Sequence, residues 1–256
     1  MNQYRTAYHT DIGTTKKTNQ DALLIRKAKT LYGEVLLAVI CDGMGGLEKG
    51  EVASGEVILT FSRWFEQRLP GLLAGGLTDD IMWREWNELV VSENEKIKQY
   101  GSRCSVSLGT TITAMLFANG KYYIVHVGDS RAYYIGNTIT QITEDQTVIA
   151  REIARGVITP EQAKTDPRRS VLLQCVGASA NVAPAFLSGN VEQGANYLLC
   201  CDGFRHEVTP DEIYMCLNSS VAGEENSMKA GLARLVEENK VRQERDNISA
   251  ILIHAE

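Results

Sequence analysis

The stretch Val35-Leu-Leu-Ala-Val-Ile-Cys41, followed directly by Asp42-Gly43, decides how the rest of the sequence is interpreted. A continuous apolar run of this length is typical of a fully buried strand, and Asp-Gly is a common place for a strand to stop. The same order of apolar residues and aspartate recurs in His126-Val127-Gly128-Asp129 and in Leu199-Cys200-Cys201-Asp202-Gly203. The sequence therefore predicts several strands that each deliver a carboxylate at one end.

Two further aspartates stand next to predicted strands. Asp21 precedes the strand predicted at Ala22–Ile25, and Asp246 precedes the strand at Ile248–Ile253. For any single aspartate, a turn or a helix cap is an equally good interpretation. Carboxylates gathered at one end of a sheet core would repel one another without cations. Because their oxygens are hard ligands and no cluster of histidine and cysteine competes, the set favours magnesium, manganese or calcium over zinc.

Apolar residues at helical spacing predict two long helices after the first buried strand, and two shorter ones near the end of the chain. Thr78 is a suitable N-cap for the second helix, and Pro70-Gly71 is expected to close the first. The predicted helices are Glu51–Arg68, Asp79–Tyr100, Pro210–Leu217 and Glu225–Asn239.

Two hairpins are predicted between these helices. Asn119-Gly120 separates the apolar stretches Thr110–Phe117 and Lys121–Val127, and Asn-Gly is a strong hairpin signal. A second hairpin is expected around Gly136-Asn137. The following stretch, residues 143–180, contains one short predicted helix and two Pro-containing turns, and is interpreted as an insert near a site. Strands grouped apart from long helices indicate an α+β fold.

Composition limits the classes of function. The chain has 256 residues, a net charge of −6 and no apolar run long enough to span a membrane. With no basic cluster, nucleic acid is not an expected partner, and neither is a membrane. The six cysteines form no C-x-x-C pair and no signal peptide precedes them, so they are expected to be reduced. We therefore expect a cytoplasmic monomer with a single domain over residues 1–256.

Six segments occur in a characteristic order along the chain: Asp11-Ile-Gly-Thr-Thr-Lys-Lys-Thr-Asn-Gln-Asp21, Cys41-Asp-Gly-Met-Gly-Gly46, Gly109-Thr-Thr111, Val127-Gly-Asp-Ser-Arg131, Cys201-Asp-Gly203 and Asp246-Asn247. Together they resemble one known family, the PPM family of metal-dependent, type 2C protein serine/threonine phosphatases. The resemblance covers almost the whole chain and is closest to the compact bacterial members, because Met44 follows Asp42-Gly43. It implies a four-layer αββα fold: a two-sheet β-sandwich with helices on both outer faces and a flap subdomain at about 143–180.

The resemblance also implies roles for individual residues. Two manganese or magnesium ions are expected, with a weaker third ion possible, and the nucleophile would be the water that bridges the first two. Asp42, Asp21 and Lys16 are the implied catalytic residues, and Lys16 would bind the substrate phosphate. The implied metal-binding groups are Asp42 as the bridge, the Gly43 carbonyl, Asp202, Asp246, Asp21 through water, and Asp129, which would share the third site with Asp202.

The chain departs from the family pattern at three positions. Lys16 stands where an arginine is common, which keeps the charge but loses the bidentate fork and predicts weaker phosphate binding. Lys17 is either a substitute or a solvated surface residue. Gln20 replaces a common glutamate, and His206 replaces an aspartate near the third site, although a histidine could bind manganese. Gln20, His206 and Asn247 are expected to lie behind the metal ligands.

The leading hypothesis is hydrolysis of phosphoserine and phosphothreonine in proteins that a bacterial serine/threonine kinase has phosphorylated. The alternative is a catalytically weak regulatory module of the same fold that binds phosphoproteins, which the three departures motivate. A hydrolase of small phosphoesters would need a deeper pocket, for which the sequence gives no sign. The basic residues Arg155, Lys164, Arg168 and Arg169 either engage substrates or form a solvated face.

Overall fold

A computed structural model describes residues 3–44, 49–163 and 165–256. Gly45, Gly46 and Lys164, which the sequence analysis names, lie outside these residues. The strands are β1 (Tyr4–Asp11), β2 (Ala22–Thr30), β3 (Gly33–Cys41), β4 (Ile112–Ala118), β5 (Lys121–Val127), β6 (Arg131–Ile135), β7 (Ile139–Gln141), β8 (Ala185–Asn190), β9 (Asn196–Cys200) and β10 (Ile248–Ala255). The helices are α1 (Gly50–Gln67), α2 (Leu69–Gly75), α3 (Asp79–Cys104), α4 (Val148–Ala154), α5 (Pro160–Ala163), α6 (Pro210–Leu217) and α7 (Glu225–Val241).

The described strands form two antiparallel sheets of five strands each. One sheet has the order β1-β10-β9-β6-β7, and the other has the order β2-β3-β4-β5-β8. Apolar residues of both sheets meet in one core, which confirms the predicted β-sandwich. The α+β assignment is confirmed as well.

Strand β3 shows why its sequence is apolar at every position. Leu36, Ala38 and Ile40 belong to the core between the sheets. The alternate residues Leu37 and Val39 belong to a second core, on the outer face of the sheet. Because successive side chains of a strand point to opposite faces, a strand covered on both faces needs apolar residues throughout.

Helices cover the outer face of each sheet. Helices α1, α2 and α3 pack on the β2-β3-β4-β5-β8 sheet, where Trp64 and Trp86 are buried with Phe61. Helices α6 and α7 contribute to the core of the other sheet. This gives the four layers expected of the fold. Trp83, also on α3, does not join this core, because 47% of its surface is exposed.

The ends of some predicted elements differ in the structure. Helix α1 ends at Gln67, but Pro70-Gly71 does not stop the helical path, because both residues lie in the first turn of α2. Proline is tolerated there, since the first backbone N–H groups of a helix have no partner within it. Helix α3 begins after the Thr78 cap, as predicted, and continues one turn further, to Cys104.

Strands β1 and β8 were not anticipated from the sequence. Only Tyr4 and Ala7 of β1 are buried, and no residue of β8 is fully buried, so neither strand has a clear alternation of apolar and polar residues. Both lie at the edge of a sheet, where one side of the strand has no neighbour. An edge strand needs fewer apolar residues, which explains the weak signal.

Both predicted hairpins are confirmed. At the first turn Asn119 and Gly120 have φ angles of 54° and 74°, the left-handed conformation that a two-residue hairpin turn requires. The segment between β7 and β8 holds α4 and α5. That residues 143–180 act as a flap subdomain within a single domain stays a prediction. A helix sufficiently long and apolar to cross a membrane does not occur in the described ranges.

Candidate metal centre

Four of the five aspartates come from the ends of strands, two from each sheet. Asp21 and Asp42 flank Ala22 and Cys41, which are paired residues of β2 and β3. Asp202 follows β9 and Asp246 precedes β10, and these two strands are neighbours in the other sheet. The convergence predicted from the sequence is therefore produced by strand pairing within each sheet and by packing of one sheet on the other.

The carboxylates crowd one another at this point. One oxygen each of Asp21 and Asp42 and the Sγ of Cys201 all lie within 4.8 Å of one another. Both oxygens of Asp21 and Oδ1 of Asp202 are buried, and none of these atoms has a hydrogen-bond partner among the described residues. Buried carboxylate oxygens without partners are costly, so the arrangement fits a bound cation.

Proton affinities reflect the same crowding. Burial raises the pKa of Asp21 to about 7, and the nearby Asp202 charge adds to this effect. Loss of hydration, together with repulsion from Asp202 and Asp21, also raises the pKa of Asp42 well above its ordinary value. A divalent cation would reverse these shifts, because it favours the ionised carboxylates.

Cys201 is a neighbour of the cluster that the sequence analysis treated only as a buried apolar residue. Its Sγ donates a hydrogen bond to the carbonyl of Asn247 at 3.4 Å and accepts one from the N–H of Ser249 at 3.1 Å. Burial raises the pKa of this thiol well above its usual range. The Cys201 thiol therefore lines the site without adding a charge. Its position directly before Asp202 was the sequence signal that could have placed it at the site.

Backbone contacts fix the position of Asp42. Its N–H donates to Oγ1 of Thr111 at 3.0 Å, and its carbonyl accepts from the N–H of Thr111 at 2.9 Å. Gly43 follows, and its N–H donates to the carbonyl of Gln20 at 3.1 Å. A Cβ at Gly43 would lie 2.4 Å from that carbonyl oxygen. Glycine is therefore required here by the close approach of two backbones.

Asn247 and Gln20, predicted to lie behind the metal ligands, form hydrogen bonds that connect the segments around the centre. The side chain of Asn247 donates to the carbonyls of Ile12 and Thr18 at 2.9 and 3.3 Å and accepts from the N–H of Gln20 at 2.9 Å. The Gln20 side chain donates to Glu51 instead, at 3.2 Å. Asn247 thus ties the loop before β2, which carries Lys16, to the start of β10.

Lys16 contacts the carboxylate cluster. Its Nζ is 2.7 Å from Oδ1 of Asp246. Burial opposes the charge, but the hydrogen bond to Asp246 and the carboxylates of Asp42 and Asp202 keep the pKa of Lys16 above its ordinary value. Lys17 is exposed. The structure therefore brings Lys16 into the centre and leaves Lys17 at the surface.

His206 lies between two carboxylates. Its Nε2 is 3.5 Å from Oδ2 of Asp202, and its Nδ1 is 3.1 Å from Oε2 of Glu244. Burial opposes protonation, but the hydrogen bond to Glu244 and the charge of Asp202 raise the pKa of His206. Glu244 also accepts from the N–H of Asp246 at 2.8 Å, so this glutamate links His206 to a predicted ligand. No pattern in the sequence indicated a role for Glu244.

Asp129 lies between β5 and β6, where the chain passes from one sheet to the other. Burial, with a contribution from Asp202, raises its pKa to about 7. The Nη2 of Arg205 is 3.7 Å from its Oδ2. Arg205 was not singled out from the sequence, although it stands three residues after Asp202.

A cavity of about 850 Å³ opens beside Asp129 and is also lined by residues of α4, α5 and the segment after them. Arg169 lines this cavity. Arg168 is bound to Glu152 and Asp166 at 3.0 and 2.8 Å, so its charge is used within the insert. Arg155 is exposed.

The chain is similar in sequence to known protein phosphatases. A family model described as protein phosphatase 2C matches residues 13–240. The serine/threonine protein phosphatase PstP of Mycobacterium tuberculosis is 32% identical over 214 residues, which are 83% of this chain and 38% of that protein. A putative protein phosphatase 2C-type of Streptococcus pyogenes is 29% identical over 96% of both chains. This chain thus spans well under half the length of PstP, but nearly all of the streptococcal protein.

Solved structures show the same architecture. The serine/threonine phosphatase Stp1 from Staphylococcus aureus superposes with a TM-score of 0.85 at 28% identity, covering 99% of this chain and 96% of that one. The catalytic domain of PstP in complex with two manganese ions gives a TM-score of 0.80 at 27% identity, covering 100% of this chain and 99% of that one.

Proposed function

Because this chain belongs to the protein phosphatase 2C family, we propose that it is a metal-dependent protein serine/threonine phosphatase. The observation that carries the proposal is the convergence of Asp21, Asp42 and Asp202, in which both oxygens of Asp21 and Oδ1 of Asp202 are buried and lack hydrogen-bond partners among the described residues. A structural role alone would leave such a cluster destabilising, since like charges in a poorly hydrated site repel one another.

The proposed centre holds two divalent cations, manganese or magnesium, as PstP does with two manganese ions. Oxygen ligands from aspartates and one carbonyl suit these hard cations. Such ions supply a nucleophile near neutral pH and neutralise charge on the phosphoryl oxygens. The residues that would hold them are Asp42, Asp202, Asp246 and Asp21, together with the carbonyl of Gly43.

Lys16 would hold the substrate phosphate at the rim of this centre. Its ammonium group is fixed by Asp246, and its loop is anchored on both sides. The hydroxyls of Thr14 and Thr15 donate to the carbonyls of Glu244 and Arg245, both at 2.6 Å. A loop held in this way positions a cation before substrate arrives, which lowers the entropic cost of binding.

We propose that the substrates are proteins phosphorylated by a bacterial serine/threonine kinase in the cytoplasm and that the chain acts as a monomer. The proteins PhpP and PstP, to which it is similar, carry phosphatase names. The net charge of −6 disfavours nucleic acid as a partner. A hydrolysis assay distinguishes this enzyme from a phosphoprotein-binding module of the same fold.

The test is hydrolysis of a phosphothreonine peptide by purified protein in EDTA, in magnesium and in manganese. We expect no turnover in EDTA, turnover with either metal, and a loss of roughly a hundredfold or more in Asp42→Asn. Asp80→Asn is the matched control, because Asp80 is an exposed aspartate on α3. Metal binding without turnover would replace the proposal by the binding module, and turnover in EDTA would refute metal dependence.

A further inference from the structure

Arg205 lies against the carboxylate that family resemblance assigns to a third metal ion. Its Nη2 is 3.7 Å from Oδ2 of Asp129 and donates a hydrogen bond to the carbonyl of Asp129 at 3.0 Å. Only 11% of the Arg205 side chain is exposed. A guanidinium keeps its positive charge under all conditions in which the protein is folded. The Arg205 guanidinium therefore gives this side of the centre a permanent positive charge.

Arg205 faces two carboxylates, those of Asp129 and Asp145. Its Nη2 also donates a hydrogen bond to Oδ2 of Asp145 at 3.5 Å. Asp145 accepts two further hydrogen bonds, from Nε and Nη2 of Arg131 at 2.7 Å each, so its charge is shared between two arginines and Arg205 compensates Asp129 as well. The Nε of Arg205 is buried and has no hydrogen-bond partner in the described part of the chain. Arg205 is thus held more by charge than by a complete set of hydrogen bonds.

One oxygen of the other carboxylate assigned to the third site also faces a basic side chain. His206 Nε2 lies 3.5 Å from Oδ2 of Asp202. A divalent ion bound to Oδ2 of Asp129 at about 2.1 Å would lie within about 6 Å of the Arg205 Nη2. Repulsion between these charges opposes the binding of an ion at this position. The residues present therefore do not fit a third ion.

We propose that the guanidinium of Arg205 takes the place of a third metal ion, so that the centre holds two divalent cations and excludes a third. The inference rests on the two-ion centre proposed above. Arg205 acts as a positioning residue: it compensates the charge of Asp129 and holds the junction between the two sheets without contacting substrate.

The test is a count of bound manganese by equilibrium dialysis and by electron paramagnetic resonance of free Mn²⁺. We expect two ions in the wild type and three in Arg205→Gln, with third-site affinity rising by roughly tenfold or more once a nearby unit charge is removed. Arg205→Lys, which keeps the charge, should still hold two. Adding Asp129→Asn to Arg205→Gln should return the count to two.

The outcomes separate this inference from the proposed function. Wild-type protein that holds no ion would refute the two-ion centre itself. A third ion in the wild type, or two ions in both the wild type and a folded Arg205→Gln, would overturn only the role of Arg205. Circular dichroism checks folding. If Arg205→Gln does not fold, Asp129→Asn alone gives the answer: the count and affinity of the two ions should not change, and a lost ion would overturn the inference.

Discussion

The Nζ of Lys16 lies 2.7 Å from Oδ1 of Asp246, so the residue proposed to hold phosphate touches a residue proposed to hold metal. The same oxygen accepts the N–H of Asn247 at 2.8 Å. The proposed phosphate site and the proposed metal site therefore share one carboxylate, through which each should influence the other. A change at Lys16 should affect both.

Lys16→Arg should lower the KM for a phosphothreonine peptide by roughly two- to tenfold with little change in kcat, because a guanidinium can bind two phosphoryl oxygens at once. Steady-state kinetics at saturating manganese measure this. Lys17→Arg is the matched control, since Lys17 is exposed, and its KM should not change. A raised KM in Lys16→Arg would mean that disturbing the contact with Asp246 weakens substrate binding more than a second contact with the phosphoryl group strengthens it.

Removing one negative charge from the cluster should stabilise the metal-free protein and prevent its stabilisation by metal. In EDTA, Asp42→Asn should melt a few degrees higher than wild type, because the repulsion from Asp202 and Asp21 is relieved. Saturating manganese should raise the melting temperature of wild type far more than that of the variant, since ions bind the folded state. Differential scanning calorimetry with and without EDTA gives both values. Equal melting temperatures in EDTA would contradict the crowding of the carboxylates.

The metal-free protein should lose stability as pH rises through 7. Burial raises the pKa of Asp21 and Asp129 to about 7, so the folded state binds protons that the unfolded state has released. Stability gained from such groups is fully present below the unfolded pKa of about 4 and is lost as the pH rises to the folded pKa of about 7. Melting temperatures in EDTA should therefore fall between about pH 6 and 8 and level off above about pH 8, and Asp21→Asn should flatten the slope. His126, whose pKa burial lowers to about 4, stays neutral over most of this range.

With manganese the slope should reverse, because the ions require ionised carboxylates. The same series of melting curves, repeated at saturating manganese, measures this change of sign. A metal-free protein whose stability does not depend on pH in this range would refute the raised pKa values.

Gly43→Ala should destabilise the protein by about 1–3 kcal/mol, because the new Cβ would lie 2.4 Å from the carbonyl oxygen of Gln20 and backbone would have to move. Urea unfolding in EDTA isolates this effect from metal binding. Gly71→Ala is the control: a Cβ at this helical position meets nothing within 4 Å and should be neutral or slightly stabilising. Equal losses in both variants would show that the contact at Gly43 is not special.

Some features could be predicted from the sequence because local patterns determine them. Strand β3 is apolar on both faces, and the Asn119-Gly120 turn needs left-handed conformations that its residues favour. Strand β1 could not be found in this way, because only Tyr4 and Ala7 are buried and its partner β10 is far away in the chain.

In the metal centre, too, some features could be predicted from local sequence patterns and others could not. Aspartates at the ends of strands were visible as a repeated pattern, and the family resemblance assigned them roles. The positions of Arg205 and Glu244 follow from packing between segments that are distant in the chain, and no spacing in the sequence indicates their partners. From the sequence alone, Arg205 would be interpreted as a solvated charged residue, and only the fold shows that it is buried.

The pairing of β1 with β10 also has a consequence for how the chain is made. Among the described strands, β1 is synthesised first, yet its neighbour in the sheet is β10, which is synthesised last. Strand β1 must therefore stay without its sheet partner during the synthesis of almost every other described element. Because Asp246 lies just before β10, the proposed centre has all of its aspartates only after nearly the whole of this sequence has been synthesised.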